Sequence, residues 1–283
     1  MTIMVPFEAD GVEIIDSIPA NESQTARRLY EHIKDLQYDS GTMQCDVSRH
    51  VIATAADFHS LLAELAEKAE KEDRWPLIHI ESHGNTDGLG LASGEFIPWG
   101  EIQPALLRLN KATRNHLFVV VAACRGFHAI KAMLDKIDHC TSFRLLAGPA
   151  EVTLSGNIED AMRDFYGSLL TTGSMPAAVE SALNSEPTFR IYSAEEAFLK
   201  GWSLAAADYP KTNSAIQKRA DEIVSQVKAS AESAPPDKLH SRAKAAIRSL
   251  DLSVPFESFK RKFFMLDSFP EVTEEIKGVT FSS

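Results

Sequence analysis

Leu117-Phe-Val-Val-Val-Ala-Ala-Cys-Arg-Gly126 is an unbroken apolar run that ends in a cysteine, an arginine and a glycine. An earlier run, Trp75-Pro-Leu-Ile-His-Ile80, is followed shortly by His83-Gly84. Short, continuous apolar runs are typical of strands that are buried on both faces of a parallel sheet. We therefore expect His83 and Cys124 to emerge where the carboxyl ends of the strands meet, which is where open α/β sheets place their chemistry.

Strand-like and helix-like segments alternate along the first 192 residues. The clearest helical stripe covers 157–171, where apolar residues recur every three or four positions. We predict strands at 11–18, 43–52, 76–81, 117–123, 143–149 and 188–192, a glycine-rich hairpin at 85–100, and helices at 24–37, 55–71, 101–110, 127–137, 157–171 and 175–184. This alternation predicts an α/β fold with a mainly parallel sheet that is flanked by helices on both faces.

The chain changes character after residue 193. Helical patterns cover 211–230, 237–250 and 255–266, and no strand pattern follows. We therefore divide the chain into an α/β domain at 1–192 and a C-terminal helical region at 193–283. Whether the helical region packs on the α/β domain is left open.

Composition limits the class of protein. The net charge of −11 disfavours non-specific binding of nucleic acid, and no apolar run approaches the length that spans a bilayer. The three cysteines and the absence of a basic leader favour the reducing cytoplasm over secretion.

Between Lys238 and Lys262 there are seven basic residues and only two acidic ones, Asp251 and Glu257. That segment is either a solvated helix face or a docking surface for an acidic partner, a membrane or nucleic acid.

His83 and Cys124 form a plausible catalytic dyad. A cysteine thiolate attacks carbonyl carbon, and a nearby histidine protonates the departing amine and then activates water. A helix that begins near Cys124 and the charge of Arg125 both favour the thiolate. The backbone N–H groups of Gly84 and Cys124 are candidates for an oxyanion hole, in which losing one donor costs roughly 3 kcal/mol.

Several stretches together resemble the CHAT branch of the caspase-like cysteine peptidases (clan CD). They cover Ile80-Glu-Ser-His-Gly84, the segment 89–102, Val119-Val-Val-Ala-Ala-Cys124 and the helical segment 164–182, within about residues 10–192. The resemblance implies a caspase-like three-layer sandwich and a cysteine endopeptidase that cleaves a protein partner without a cofactor or metal. It also implies a setting in bacterial defence or regulated cell death.

The sequence departs from the caspase pattern at two places. Caspases carry a glutamine two residues before the nucleophile, and this chain has Ala122 there, so cleavage after aspartate is not implied. The segment 127–142 is too short for the linker that is cut to activate many caspases. We therefore expect control by a regulatory protein partner, by the helical tail or by a larger complex.

The substrate pocket is weakly encoded. An acidic residue in it would favour a basic substrate side chain, and Asp87 is our first choice for that acid. The full set of candidate pocket residues is Glu81, Asp87, Glu101, Ala122, Arg125, Pro149 and Glu151.

Three other hypotheses remain open. Cys124, His128, His139 and Cys140 supply four potential zinc ligands, although their spacing is not the usual paired one. A catalytically silent caspase-like scaffold that acts as an interaction module is a second hypothesis. A hydrolase or acyltransferase that acts on a non-peptide substrate is the third.

Overall fold

The computed structural model describes residues 9–38, 41–130, 137–207, 209–210, 212–229 and 236–281. The strands are β1 (Gly11–Asp16), β2 (Asp46–Val51), β3 (Pro76–Glu81), β4 (His83–Gly84), β5 (Gly88–Gly90), β6 (Phe96–Pro98), β7 (Phe118–Ala122), β8 (Leu145–Pro149) and β9 (Phe189–Ser193). The helices are α1 (Thr25–Leu36), α2 (Ala55–Glu72), α3 (Trp99–Ala112), α4 (Ser155–Thr172), α5 (Met175–Ser185), α6 (Ala194–Ala207), α7 (Asn213–Ala229), α8 (Pro236–Ser249), α9 (Ser253–Phe263) and α10 (Val272–Glu275).

Six strands form one sheet in the order β2-β1-β3-β7-β8-β9. Neighbouring strands are parallel except for β9, which runs antiparallel to β8. The predicted α/β class, with a mainly parallel sheet between helices, is confirmed. The chain winds outward in opposite directions from β1 and β3, and a crevice at the carboxyl ends of such strands is the usual ligand site of an open sheet.

The apolar strands serve both faces of the sheet because successive side chains point in opposite directions. Ile14 and Val120 belong to a core that is shared with α1, α4 and α5. Their neighbours Ile15 and Val121 belong to a second core, which is shared with α2 and α3. The unbroken apolar runs therefore reflect burial on both sides of the sheet.

The C-terminal helices extend the second of these cores. Phe198 and Trp202 of α6 meet Phe256 of α9, with ring centroids 5.3 Å apart in each pair. All three belong to the same buried cluster as Ile15 and Val121. Helices α7 and α8 pack on each other through a small separate core. The boundary at residue 193 stays a prediction, but α6, α9 and α10 pack on the rest of the chain.

A buried ion pair connects the C-terminal helices to the sheet at the amino-terminal ends of its parallel strands. Arg144, directly before β8, is fully buried and lies 2.6 Å from the carboxylate of Glu195 in α6 and 3.3 Å from that of Glu275 in α10. Burial raises the pKa of Glu195, and the charge of Arg144 opposes that rise. The anchor lies at the sheet edge opposite to the carboxyl ends of β3 and β7.

Some local structure differs from the sequence predictions. Helix α6 was not predicted, although Ser193 and Glu196 form a capping pair at its start, with the Glu196 N–H 3.2 Å from Ser193 Oγ. The segment 85–100 contributes β5 and β6 to a three-stranded antiparallel sheet with β4. The predicted helix at 127–137 begins as a 3₁₀-helix, Gly126–Ile130, and 131–136 lie outside the described residues.

Within the described part of the chain, no helix is long and apolar enough to cross a membrane.

Candidate active site

A cleft of about 380 Å³ opens at the carboxyl ends of the central strands. Loops after β1, β3, β7 and β8 meet there, as the switch in strand order predicts. Both His83 and Cys124 line it. The complete lining consists of Ile18, Glu22, Ser23, Thr25, Glu81, Ser82, His83, Ala122, Ala123, Cys124, Thr153, Ser155 and Ile158.

The loop that carries His83 touches the loop that carries Cys124 through Gly84. A Cβ atom at position 84 would lie 2.7 Å from the Cys124 carbonyl oxygen and 2.9 Å from Ala123 Cβ. Both distances are too short for a real side chain, so the close approach requires glycine. Gly84 is therefore the contact between the segments that carry the two proposed catalytic residues.

A tight turn follows β7 and holds Cys124 at the end of the strand. Arg125 adopts a left-handed conformation with φ of 57°, which is uncommon for a residue with a side chain. The Gly126 N–H donates to the Ala123 carbonyl at 2.9 Å, and a Cβ at position 126 would lie 2.4 Å from the Val121 carbonyl oxygen. This turn leaves Cys124 half-buried and facing the cleft.

The backbone N–H of Cys124 has no acceptor within the described part of the chain. An unpaired N–H at the end of a strand is available to a ligand in the cleft. Cys124 is thus suited to serve as an oxyanion donor as well as a nucleophile.

The Cys124 thiol makes a hydrogen bond across the cleft. Its Sγ donates to the Thr153 carbonyl at 3.4 Å. The Thr153 hydroxyl in turn donates to the carboxylate of Glu186, which also accepts from the Thr188 N–H at 2.9 Å. Burial by itself raises the pKa of Glu186, but the hydrogen bonds from Thr153, Thr188 and Asn157 outweigh it, so that this pKa is lowered. Glu186 therefore helps to hold the loop against the thiol.

His83 pairs with a carboxylate that the sequence analysis missed. Its Nε2 atom lies 2.9 Å and 3.1 Å from the two carboxylate oxygens of Glu22, in the loop after β1. Both side chains are partly exposed at the rim of the cleft. Glu22 carries no motif of its own, and only the adjacency of β1 and β3 brings it to His83.

A buried hydrogen-bonded network lies beneath the cleft. Glu81, at the end of β3, accepts from the Thr25 hydroxyl and lies 3.2 Å from His79 Nε2. The other nitrogen of His79 is 3.0 Å from the Tyr166 hydroxyl. Burial and the nearby charge of Glu81 raise the pKa of Tyr166 well above its ordinary value. The network ends at a carboxylate on the wall of the cleft.

Of the other predicted pocket residues, only Ala122 lines this cleft together with Glu81. Asp87, the first choice from sequence, is exposed on the turn after β4, where its carboxylate accepts from Thr86. The turn carries it away from the cleft lining. Arg125 and Glu151 pair at 3.8 Å, and neither lines the cleft.

Pro149 and Glu101 are also absent from the cleft lining. Pro149 is buried in β8, where it pairs with β9, and Glu101 is exposed in the first turn of α3. A larger, shallower groove of about 680 Å³ lies between α1, α4 and α5, but none of the predicted site residues lines it.

The alternative zinc set is not assembled in the described residues. No three His, Cys, Asp or Glu side chains there stand close enough together to hold a metal ion. His128 Nε2 instead lies 3.2 Å from the Ala150 carbonyl oxygen, and His139 pairs with Asp138 at 2.7 Å.

No protein-family model matches this sequence, and no curated protein matches it. The resemblance to CHAT peptidases therefore depends on the motif residues alone. The functional argument depends on the geometry of the cleft.

Proposed function

We propose that the protein is a cysteine endopeptidase in which Cys124 is the nucleophile and His83 the general acid and base. One observation carries this proposal: the two loops that bear these residues line a single cleft and touch each other through Gly84. Such a placement allows a thiolate and an imidazole to act on one amide bond.

The reaction follows from these positions. The Cys124 thiolate attacks the peptide carbonyl, and the N–H groups of Cys124 and Gly84 stabilise the oxyanion of the tetrahedral intermediate. His83 has taken the proton of the Cys124 thiol, and the C–N bond breaks as His83 gives this proton to the departing amine. His83 then takes a proton from water, which attacks the thioester, and the carboxylic acid leaves as the thiol is restored.

Formation of the thiolate requires that the hydrogen bond to Thr153 be given up, because a sulfur without its proton has nothing to donate to a carbonyl. A substrate peptide that enters between Cys124 and Thr153 replaces that bond. We therefore expect the substrate to contact the loop that Glu186 holds.

We also propose a preference for a basic side chain beside the cut bond. Of the described residues that line the cleft, none is lysine or arginine, whereas Glu22 and Glu81 are acids. Both oxygens of Glu22 already face His83. Because Glu22 is engaged with the proposed catalytic histidine, Glu81, the other acid of the cleft lining, replaces Asp87 as the proposed pocket acid.

Labelling with a peptide electrophile tests the proposed function. A peptidyl acyloxymethyl ketone with arginine next to the warhead is expected to modify Cys124 in the wild type and to fail with His83→Ala. Cys140→Ala is the matched control and is expected to label normally. Cys45 is expected to react slowly because burial raises its thiol pKa.

Three outcomes separate the alternatives. Peptide cleavage that survives Cys124→Ala contradicts the proposal. A folded wild type that neither labels nor cleaves supports the silent scaffold. Labelling of Cys124 without cleavage of any peptide in a panel supports a hydrolase or acyltransferase with a non-peptide substrate.

The biological setting is also part of the proposal. A protein substrate in the bacterial cytoplasm and control by a regulatory protein or complex agree with the reduced cysteines and with the resemblance. Mapping of new protein N-termini in cells that express wild type or Cys124→Ala identifies the substrate. Full peptide activity of the purified, uncut chain contradicts the need for an activator.

A further inference from the structure

Glu22 faces the proposed catalytic histidine directly. An ionised carboxylate accepts hydrogen bonds but donates none, so His83 Nε2, at 2.9 Å, carries the proton. Nδ1 is then the nitrogen that remains free to exchange protons with substrate and water. We infer that Glu22 is a positioning residue that orients the imidazole of His83, an inference that rests on the proposed function.

The loop that carries Glu22 is held in place from both sides. The Glu22 N–H donates to the Pro19 carbonyl at 2.9 Å, and the Gln24 side chain donates to the carbonyls of Pro19 and Glu22 at 2.9 Å and 3.2 Å. A carboxylate on a loop with this many internal hydrogen bonds is placed by its backbone.

The same loop is tied to the strand that bears His83. Thr25, which follows the loop, donates its hydroxyl to the buried carboxylate of Glu81, two residues before His83. The Ser17 N–H, at the start of the loop, donates to the Glu81 carbonyl at 2.8 Å. Glu81 thus couples the position of Glu22 to that of His83.

The size of the effect follows from exposure. The side chains of Glu22 and His83 are 42% and 58% exposed, so water screens their attraction. Removal of the buried acid of a serine-protease triad lowers the turnover number by about 10⁴-fold. For this exposed pair we expect a loss of about 10-fold in kcat with little change in KM, because the carboxylate acts on the histidine rather than on the substrate.

A double-mutant cycle tests the inference. Glu22→Ala, His83→Ala and the double variant are compared in hydrolysis of a peptide amide and in the rate of Cys124 alkylation by iodoacetamide. In the wild-type background, Glu22→Ala is expected to slow amide hydrolysis about 10-fold and alkylation by a smaller factor. Once His83 is removed, Glu22→Ala is expected to change neither rate further, because residues that act through one another are non-additive. Glu31→Gln, an exposed glutamate of α1 that pairs with Arg27, is the matched control and is expected to match the wild type.

The choice of leaving group provides a second measurement. An activated ester needs no proton on its leaving group, whereas an amide does. Glu22→Ala is therefore expected to slow amide hydrolysis more than ester hydrolysis, and a general loss of structure would slow both equally.

The outcomes separate this inference from the proposed function. Wild-type rates in Glu22→Ala, or an equal loss with and without His83, overturn the role of Glu22 while Cys124→Ala still abolishes cleavage. Cleavage that survives Cys124→Ala overturns the proposed function instead. The alkylation rate reports on the Glu22–His83 pair even if no peptide substrate is found.

Discussion

Gly84 packs against the backbone carbonyl of Cys124, and a Cβ atom at position 84 would lie 2.7 Å from that oxygen. This contact joins β4, which follows β3 closely, to the end of β7 at the point where we propose the chemistry. The two loops therefore cannot accept a side chain at position 84 without moving apart.

Gly84→Ala is expected to lower kcat/KM at least about 10-fold, because the added methyl group displaces the Cys124 backbone and the oxyanion site with it. The fold is expected to lose about 1–3 kcal/mol from overpacking. Peptide hydrolysis and urea unfolding measure the two effects. Gly100→Ala, where no atom lies within 4 Å of the new Cβ, is the control; full activity in Gly84→Ala contradicts the prediction.

Glu81→Gln is expected to reduce the preference for arginine over leucine beside the cut bond by roughly 10-fold, since an opposite charge in a pocket sets such preferences. A fluorogenic peptide panel measures the ratio, and a thermal melt confirms that the variant is folded. Asp87→Asn lies outside the cleft lining and is expected to leave the ratio unchanged. If a folded Glu81→Gln variant keeps the wild-type ratio, Glu81 does not set the substrate preference.

Arg144→Ala is expected to destabilise the protein by about 3 kcal/mol, because the buried carboxylate of Glu195 is left without its partner. The double variant Arg144→Met, Glu195→Leu is expected to lose less, since neither charge remains to be buried. Urea unfolding measures both. Arg108→Ala, which breaks an exposed pair with Glu67, is the control and is expected to change stability little. A double variant with a lower free energy of unfolding than Arg144→Ala contradicts this explanation.

Glu186 is expected to make stability depend on acid pH. Its pKa is lowered in the folded protein, so its contribution is present above the ordinary value of 4.5 and is lost as pH falls through the folded pKa. The difference in melting temperature between wild type and Glu186→Gln should therefore shrink below that range. Glu180→Gln, an exposed position of α5, is the control. A difference that stays constant or grows from neutral pH to about pH 3 contradicts the prediction.

A chain that ends at residue 192 is expected not to form a soluble, cooperatively folding monomer. Its loss of α6, α9 and α10 uncovers the sheet face on which Phe198, Trp202 and Phe256 are buried, and large exposed apolar patches promote aggregation. Replacement of α7 and α8 by a short linker is the matched control, because that pair has its own small core. Light scattering and thermal melts compare them. A cooperative melt of the 1–192 chain would support the boundary inferred from sequence.

Local patterns in the sequence were sufficient to predict most elements of this fold and the identity of the proposed dyad. Burial on both sheet faces leaves continuous apolar runs such as 117–123, and amphipathic helices repeat near 3.6 residues, so both signals are contained in short windows. Helix α6 was missed although its capping pair was visible in the sequence.

The tertiary structure alone decided which other residues lie beside His83 and Cys124 in the cleft. Strand order depends on pairings between segments far apart in the chain, and these leave no local pattern. The adjacency of β1 and β3 brings Glu22 to His83, and the adjacency of β3 and β7 brings Gly84 to Cys124. Asp87 does not line the cleft, because it lies on the turn between β4 and β5, away from the carboxyl ends of the parallel strands.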